Sequence, residues 1–237
     1  MTMKKFLLLS CFCFAPSALA ADITTLGILS QAEFRILSED LGSALSYKPL
    51  TPAEPLGISG FDVGLEVTST SMSKSSSEWL KATGSTVSDL YIPKLHIAKG
   101  LPFDMDIAGF YSRIPSTNIT LYGGELRYAI LPGGVAVPAV AIRGALTRLS
   151  GVTQLSLDTK SLDISVSKGF TLLTPYIGVG QVWTNSTPHA GALTAEKFTQ
   201  SKVFGGININ FGLTNFVLEM DKTGSTTSYG AKLGFRF

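Results

Sequence analysis

Tyr229-Gly-Ala-Lys-Leu-Gly-Phe-Arg-Phe237 ends the chain, and its parity decides the fold. Tyr229, Ala231, Leu233, Phe235 and Phe237 alternate with Gly230, Lys232, Gly234 and Arg236, so one face of an extended strand is apolar and the other is small or cationic. A strand of a soluble sandwich can alternate in this way, but it rarely stops on an exposed terminal Phe. In a transmembrane barrel the apolar face meets lipid, the cations point inward, and the last aromatic residue sits at the membrane interface.

Working back from that end, the same period of two recurs. Phe61, Val63, Leu65 and Val67 alternate with Gly60, Asp62, Gly64 and Glu66; Tyr91, Leu95 and Ile97 alternate with Lys94 and His96. Met105, Ile107, Gly109 and Tyr111 oppose Asp106, Ala108 and Phe110. Further segments place Glu125 and Arg127, Arg143, Lys202, and Glu219 and Asp221 opposite apolar partners. Gly and Pro punctuate the segments, as at 99–102, 115–118 and 132–134. The stretch 153–167 changes parity, with Leu155 and Leu157 on one phase and Leu162, Ile164 and Val166 on the other. A bulge within 158–161 would reconcile them. About ten strands result, an even number, each near or above the roughly 9–11 residues that cross a bilayer when tilted. Two connections, 69–86 and 185–196, read as long polar loops, the first with a turn of helix at 78–81. Alternate connections are short.

At this point the sequence resembles the bacterial outer-membrane β-barrel proteins, a family that closes on a strand ending in Phe. The resemblance implies an antiparallel barrel over 58–237, location in the bacterial outer membrane, lipid as surroundings, and recognition of Phe235 and Phe237 by the barrel-assembly machinery.

Composition agrees with an exported membrane protein. Only 15% of the 237 residues are charged, against roughly a quarter in soluble domains, and the mean hydropathy is +0.29. Lys4 and Lys5, the apolar run 6–14 and the small residues Ala18 and Ala20 form a signal peptide over 1–20, with cleavage expected between Ala20 and Ala21. Leu8-Leu-Ser-Cys11 also resembles a lipobox, but its apolar lead-in is short. Both cysteines, Cys11 and Cys13, fall in the removed segment, which leaves no thiol chemistry. Without Lys4 and Lys5 the 19 basic residues become 17, equal to the 17 acidic ones, so no nucleic-acid partner is implied.

Residues 21–57 are expected to form an N-terminal periplasmic segment. Ile28, Ala32, Ile36, Leu37, Leu41, Ala44 and Leu45 recur at helical spacing, predicting an amphipathic helix over 28–47. It would pack on a sheet end, plug a barrel mouth or lie on the membrane surface. Pro49, Pro52 and Pro55 make the following linker extended.

Projected into the lumen are Asp62, Glu66, Lys94, Glu125, Arg127, Arg143, Asp163, Lys202, Glu219, Asp221, Lys232 and Arg236. Such a set either forms ion pairs that fill a narrow barrel or builds a constriction that selects solutes. Lys232 and Arg236 are expected to meet Asp62 and Glu66 as the barrel closes. His189, near Ser186, Thr187 and Glu196, is the one candidate general base, but no catalytic motif surrounds it, and neither metal nor cofactor is implied. The expected function is a small passive channel or transporter for a small or partly apolar solute, occluded or gated by the helix. The alternatives are a non-conducting structural or surface-interaction barrel and a lipid-modifying enzyme. The solute and the oligomeric state do not follow from sequence.

Overall fold

The structure is a computed structural model that describes residues 23–113 and 119–237. The signal peptide, its Ala20–Ala21 junction and the turn expected at 115–118 lie outside the described residues. Ten strands form one closed antiparallel barrel: β1 (Phe61–Ser71), β2 (Asp89–Leu101), β3 (Met105–Arg113), β4 (Thr120–Leu131), β5 (Ala139–Ser150), β6 (Leu155–Ser167), β7 (Leu173–Pro188), β8 (Glu196–Phe211), β9 (Thr214–Thr223) and β10 (Thr226–Arg236). Each pairs with its neighbours in sequence, and β10 closes on β1. Gly64 lies opposite Gly234 and Leu65 opposite Leu233, while Phe61 and Phe237 exchange two backbone hydrogen bonds of 2.7 and 3.0 Å. The carboxyl-terminal residue is thus part of the seam. Its ring stacks on Phe61 with centroids 5.6 Å apart.

The barrel is inside out relative to a soluble protein. Asp62, Arg127, Arg143, Asp163 and Lys202 are buried within it. By contrast Leu65, Leu95, Ile107, Leu126, Ile177 and Leu233 face outward at 48% to 67% exposure. Tyr91, Tyr111, Trp183 and Tyr229 mark the exterior near one end; Phe103, Phe170, Phe211 and Phe237 mark the other. An apolar band between two aromatic girdles is the surface a bilayer requires, and the closed sheet leaves no unpaired edge in lipid. No described helix is long and apolar enough to cross a membrane.

One end, the short-turn end, carries the connections 102–104, 132–138, 168–172 and 212–213, together with the start of β1 and the end of β10, whereas the other carries the longest connection, 72–88, beside the short turns 151–154 and 224–225. The opposite, long-loop end carries α2 (Ser76–Thr83) between β1 and β2. The expected loop over 185–196 is shortened to 189–195: β7 runs to Pro188, β8 starts at Glu196, and Ser186 pairs with Glu196 across the hairpin. Ser186 is polar because it faces inward, where its Oγ meets Ser38 Oγ at 2.8 Å.

The bulge expected within 158–161 is absent. β6 pairs in unbroken register with both neighbours, from Leu155 opposite Pro188 to Ser167 opposite Tyr176. Leu155 and Leu157 point inward and are buried, whereas Leu162, Ile164 and Val166 point outward. The parity switch reflects a change along the barrel axis in what fills the interior. The one register irregularity among these pairings lies between Ala129 and Leu131, beside the Pro132-Gly133-Gly134 turn.

The helix expected over 28–47 is a 3-10 turn, Leu26–Ile28, followed by α1 (Gln31–Leu45). It starts later than the apolar spacing indicated because Ser30 is the N-cap, forming a reciprocal capping box with Glu33. It neither forms a separate periplasmic body nor lies flat on a membrane. Leu26 is bonded to Gln154 near the long-loop end and Leu56 to Asp106 near the short-turn end, so residues 23–57 run down the inside of the barrel.

Candidate functional site

The interior is built in two zones, and each matches the part of residues 23–57 that occupies it. Toward the long-loop end, Phe34, Leu37, Leu41, Ala44 and Leu45 of α1 form one buried cluster with inward residues of the wall, among them Leu90, Ile92, Leu121, Leu149, Leu155 and Leu157. Trp79 of α2 joins the same cluster from above. Burying each large apolar side chain contributes about 1.5–3 kcal/mol, so this contact anchors the helix. A small cavity of about 50 Å³ lies beside it, lined by Leu41, Leu45, Trp79 and neighbouring wall residues.

The helix approaches one side of the wall closely at Gly42. A Cβ there would lie 2.7 Å from Thr184 Oγ1, so the contact demands glycine in an otherwise good helical sequence. Asp40 is buried and accepts hydrogen bonds from the Ser75 amide (3.1 Å), Ser75 Oγ (2.7 Å) and Thr226 Oγ1 (2.7 Å). It ties α1 to the first long connection and to β10.

Around the upper mouth, Gln31 Nε2 donates to the Thr194 carbonyl (3.1 Å) and its Oε1 accepts from the Thr194 amide (3.0 Å). Arg35 pairs with Glu39 (2.7 Å) and Glu196 (3.0 Å) while its guanidinium lies 4.4 Å from the Phe198 ring centre. Lys81 of α2 pairs with Glu33. The Lys81 ammonium, and then the Ser30 backbone and side-chain bonds, lower the Glu33 carboxyl to about 2. The Glu33 bond in turn raises Lys81 above its ordinary value.

Below α1 the chain is extended and its backbone groups cannot pair with one another. The charged wall supplies their partners. The Leu50 amide donates to Glu219 Oε2 (3.0 Å), the Ala53 amide to Ser167 Oγ (3.1 Å), and the Leu56 amide to Asp106 Oδ1 (2.9 Å). In the opposite sense, Lys202 Nζ donates to the Tyr47 carbonyl (2.7 Å), Arg236 Nη2 to Thr51 Oγ1 (2.6 Å), and Arg127 to the Pro52 carbonyl. Buried backbone groups without partners would each cost about 1–3 kcal/mol, so this wall is a matched receptor for residues 47–57.

Lys48 completes the network from the inner segment. Its ammonium donates to Asp221 Oδ1 at 2.6 Å, to the Ser43 carbonyl at 3.0 Å and to Ser46 Oγ at 3.1 Å, with the Lys48 and Asp221 side chains each 2% exposed.

The twelve residues projected into the lumen all sit on the inward face, and all but Lys94 and Glu219 join a small number of ion-pair groups. Arg143 links Glu125 (2.7 Å) to Asp163 (3.4 Å), and Lys202 stands 3.9 Å from Asp163 and 3.8 Å from Asp221. Lys232 and Arg236 both reach Asp62, at 2.7 and 2.8 Å. Lys232 therefore pairs diagonally with Asp62 although Glu66 lies directly opposite it in register. Glu66 instead stands 3.7 Å from His96 Nδ1, Lys94 lies 4.9 Å from the Phe110 ring centre, and Glu219 accepts from Tyr176 Oη at 2.8 Å.

Sequence parity missed Asp106, which is on the inward phase and pairs with Arg127 at 2.7 Å. It also missed Asp40 and Lys48, whose interior role is invisible until the segment is known to enter the barrel.

His189 lies at the exposed tip of the β7–β8 hairpin, where its Nε2 meets Ser156 Oγ at 2.8 Å. No carboxylate comes within ion-pair distance of its ring among the described residues, so the pair lacks the third group that orients a catalytic imidazole. No cluster of three metal-ligating residues occurs among the described residues.

No protein-family model matches the chain, and no curated protein matches it in sequence. Among solved structures, the chain is similar to the N-terminal β-barrel domain of Pseudomonas aeruginosa OprF, at 15% identity over 74% of this chain and 97% of that one, with a TM-score of 0.40. It is also similar to Neisserial surface protein A (10% identity, 75% and 94% covered, TM-score 0.31). A third is Ail, the attachment invasion locus protein of Yersinia pestis (11%, 76% and 99%, TM-score 0.30). The barrel itself rests on the strand pairing and lipid-facing exterior of this chain.

Proposed function

We propose that the protein is a sealed outer-membrane barrel whose own N-terminal segment closes the lumen and whose long-loop end serves as a rigid surface for contact outside the cell. The observation that carries this reading is the fit of residues 23–57 to the wall: an apolar helix against the apolar zone and an extended strap against the charged zone. The inward charges, for which ion pairing and a selective constriction were the alternatives, bond that strap and one another.

The signal peptide expected over 1–20 and the short turns at the end that carries the close of β10 support placing the short-turn end in the periplasm. The segment around Leu26 then emerges at the outer face beside α2 and the β7–β8 hairpin. The bonds of Gln31 with Thr194 and of Glu33 with Lys81 tie α1 to the β7–β8 connection and to α2 at that face.

Single cysteines at Thr25 and at Phe103 in the full chain test the orientation. A membrane-impermeant maleimide applied to intact cells should label the first and spare the second, and the reverse pattern would refute it. Liposomes carrying the full chain should swell in small sugars no faster than empty liposomes. Sugar-size-dependent swelling would restore the channel reading.

A further inference from the structure

The outer wall near the long-loop end carries a groove of about 850 Å³ across β4 to β8, bordered by Tyr122, Leu146, Arg148, Lys160, Trp183 and Lys197. These residues are aligned by strand register. Tyr122 lies opposite Arg148, Arg148 opposite Asp158, Asp158 opposite Asn185, and Asn185 opposite Lys197. One step toward the short-turn end, Leu146 lies opposite Lys160, Lys160 opposite Trp183, and Trp183 opposite Thr199. Two steps further the cross-strand row is apolar, with Ile142, Ile164, Val179 and Val203 side by side.

Three cations therefore face outward on a patch with one carboxylate, directly above lipid-facing wall. Arg148 approaches Asp158 at 3.5 Å, but its side chain is 62% exposed. Lys160 and Lys197 are exposed and have no carboxylate within ion-pair distance among the described residues. Charges that serve folding of this barrel are turned inward and paired; these are turned outward beside Tyr122 and Trp183, in the region where a membrane changes from acyl chains to headgroups. Below them, a Cβ on Gly144 would meet nothing within 4 Å, so the wall is bare next to Leu146.

We infer that this groove binds the anionic headgroup of a membrane lipid that carries phosphate monoesters, with Arg148, Lys160 and Lys197 receiving the phosphate groups and Leu146 and the bare wall at Gly144 receiving an acyl chain. A soluble phosphate would satisfy the cations alone. The continuity of the patch with the apolar wall commits the site to a lipid held in the leaflet at the long-loop end. The inference rests on the lipid-facing exterior, and not on the lumen being sealed.

Trp183 reports directly on the groove, because the other tryptophan, Trp79, is buried in the interior cluster. The full chain in phosphatidylcholine nanodiscs is titrated with bisphosphorylated lipid A, and retained lipid is counted by native mass spectrometry. Trp183 emission should shift, and about one lipid should be retained beyond the phosphatidylcholine annulus. Each surface cation near an anionic headgroup is worth about a fivefold factor, so Lys160→Ala/Lys197→Ala should weaken retention by about thirtyfold. Lys74→Ala/Lys222→Ala, which removes equal charge elsewhere, should retain lipid as the unaltered chain does. Equal retention by the groove variant would overturn the site. Equal binding of fully dephosphorylated lipid, or an equal emission shift from inorganic phosphate alone, would overturn the assignment of a phosphorylated lipid. Conductance plays no part in these readouts, so failure here is distinguishable from failure of the sealed-barrel reading.

Discussion

Replacing Lys48 by Met isolates the contact between the inner segment and the charged wall. Methionine keeps an unbranched stem of similar length but removes the ammonium that bonds Asp221 Oδ1 (2.6 Å), the Ser43 carbonyl and Ser46 Oγ. Asp221 would retain the bond from Thr223 Oγ1 (2.9 Å) and the ammonium of Lys202 at 3.8 Å. Breaking one partner of a buried pair costs about 3–5 kcal/mol, and the residual Lys202 contact places Lys48→Met near the lower end, about 3 kcal/mol. Removing the stranded charge as well, in Lys48→Met/Asp221→Asn, should return most of that loss and leave the double variant within about 1 kcal/mol of the unaltered barrel, because neutral buried groups of like shape are tolerated. Denaturant unfolding of the refolded protein in lipid bilayers, followed by tryptophan emission, measures all four corners of the cycle. A single variant as stable as the parent would refute the account of this pair, and so would a double variant as unstable as the single one.

Other contacts give equally definite outcomes. Gly42→Ala gains about 1 kcal/mol of helix propensity but forces a Cβ to 2.7 Å from the stiff Thr184 side chain, an overlap costing about 1–3 kcal/mol; a net loss of stability is expected, and a net gain in bilayer unfolding would show that α1 does not press on β7. Leu157→Ala should cost about 2–5 kcal/mol by opening a cavity against α1, whereas Leu162→Ala, facing lipid, should cost clearly less; the reverse order would restore the bulge. The Glu33 carboxyl, lowered to about 2, stabilises the folded state above its ordinary value of 4.5 and loses that contribution as pH falls through about 2. Lys81, raised above 10.5, contributes below that value and loses its contribution as pH rises past its folded value. Protection factors at the start of α1, which remove the intrinsic pH dependence of amide exchange, should therefore be flat from about pH 4.5 up to the ordinary lysine value of 10.5 and fall in strong acid, an acceleration beyond the intrinsic rate. In Glu33→Gln the acid-dependent acceleration should vanish, and its persistence would mean that another group holds the cap.

The strands were legible because a wall between lipid and a polar interior writes its parity into every segment: Leu233 against Lys232, Leu65 against Glu66, Leu126 against Arg127. The seam was legible too, since Phe237 only makes sense as a residue at the end of a paired strand. What parity could not convey is that the interior changes along its axis. Leu155 and Leu157 look like a phase error if the lumen is assumed polar throughout, yet they are inward residues facing an apolar helix. The same assumption put the inward Ser186 into a loop.

Lys48 was unreadable for a related reason. A cation in a Pro-rich linker is ordinarily solvated, and only the three-dimensional path of residues 47–57 brings it to Asp221. Asp106, in contrast, stood on the inward phase of a recognised strand and could have been assigned from parity alone. The path of the chain was hidden because an amphipathic helix carries no mark of which apolar surface it will cover. That surface was spread over Leu90, Leu121, Leu149, Leu155 and Leu157, on four different strands.

The central claim is that the barrel is closed by its own N-terminal segment, and single-channel recording of the intact protein in a planar lipid bilayer tests it most directly. The expected record stays at the bare-membrane baseline at both polarities after insertion has been verified. Stable conductance steps of uniform size from the intact chain would contradict it.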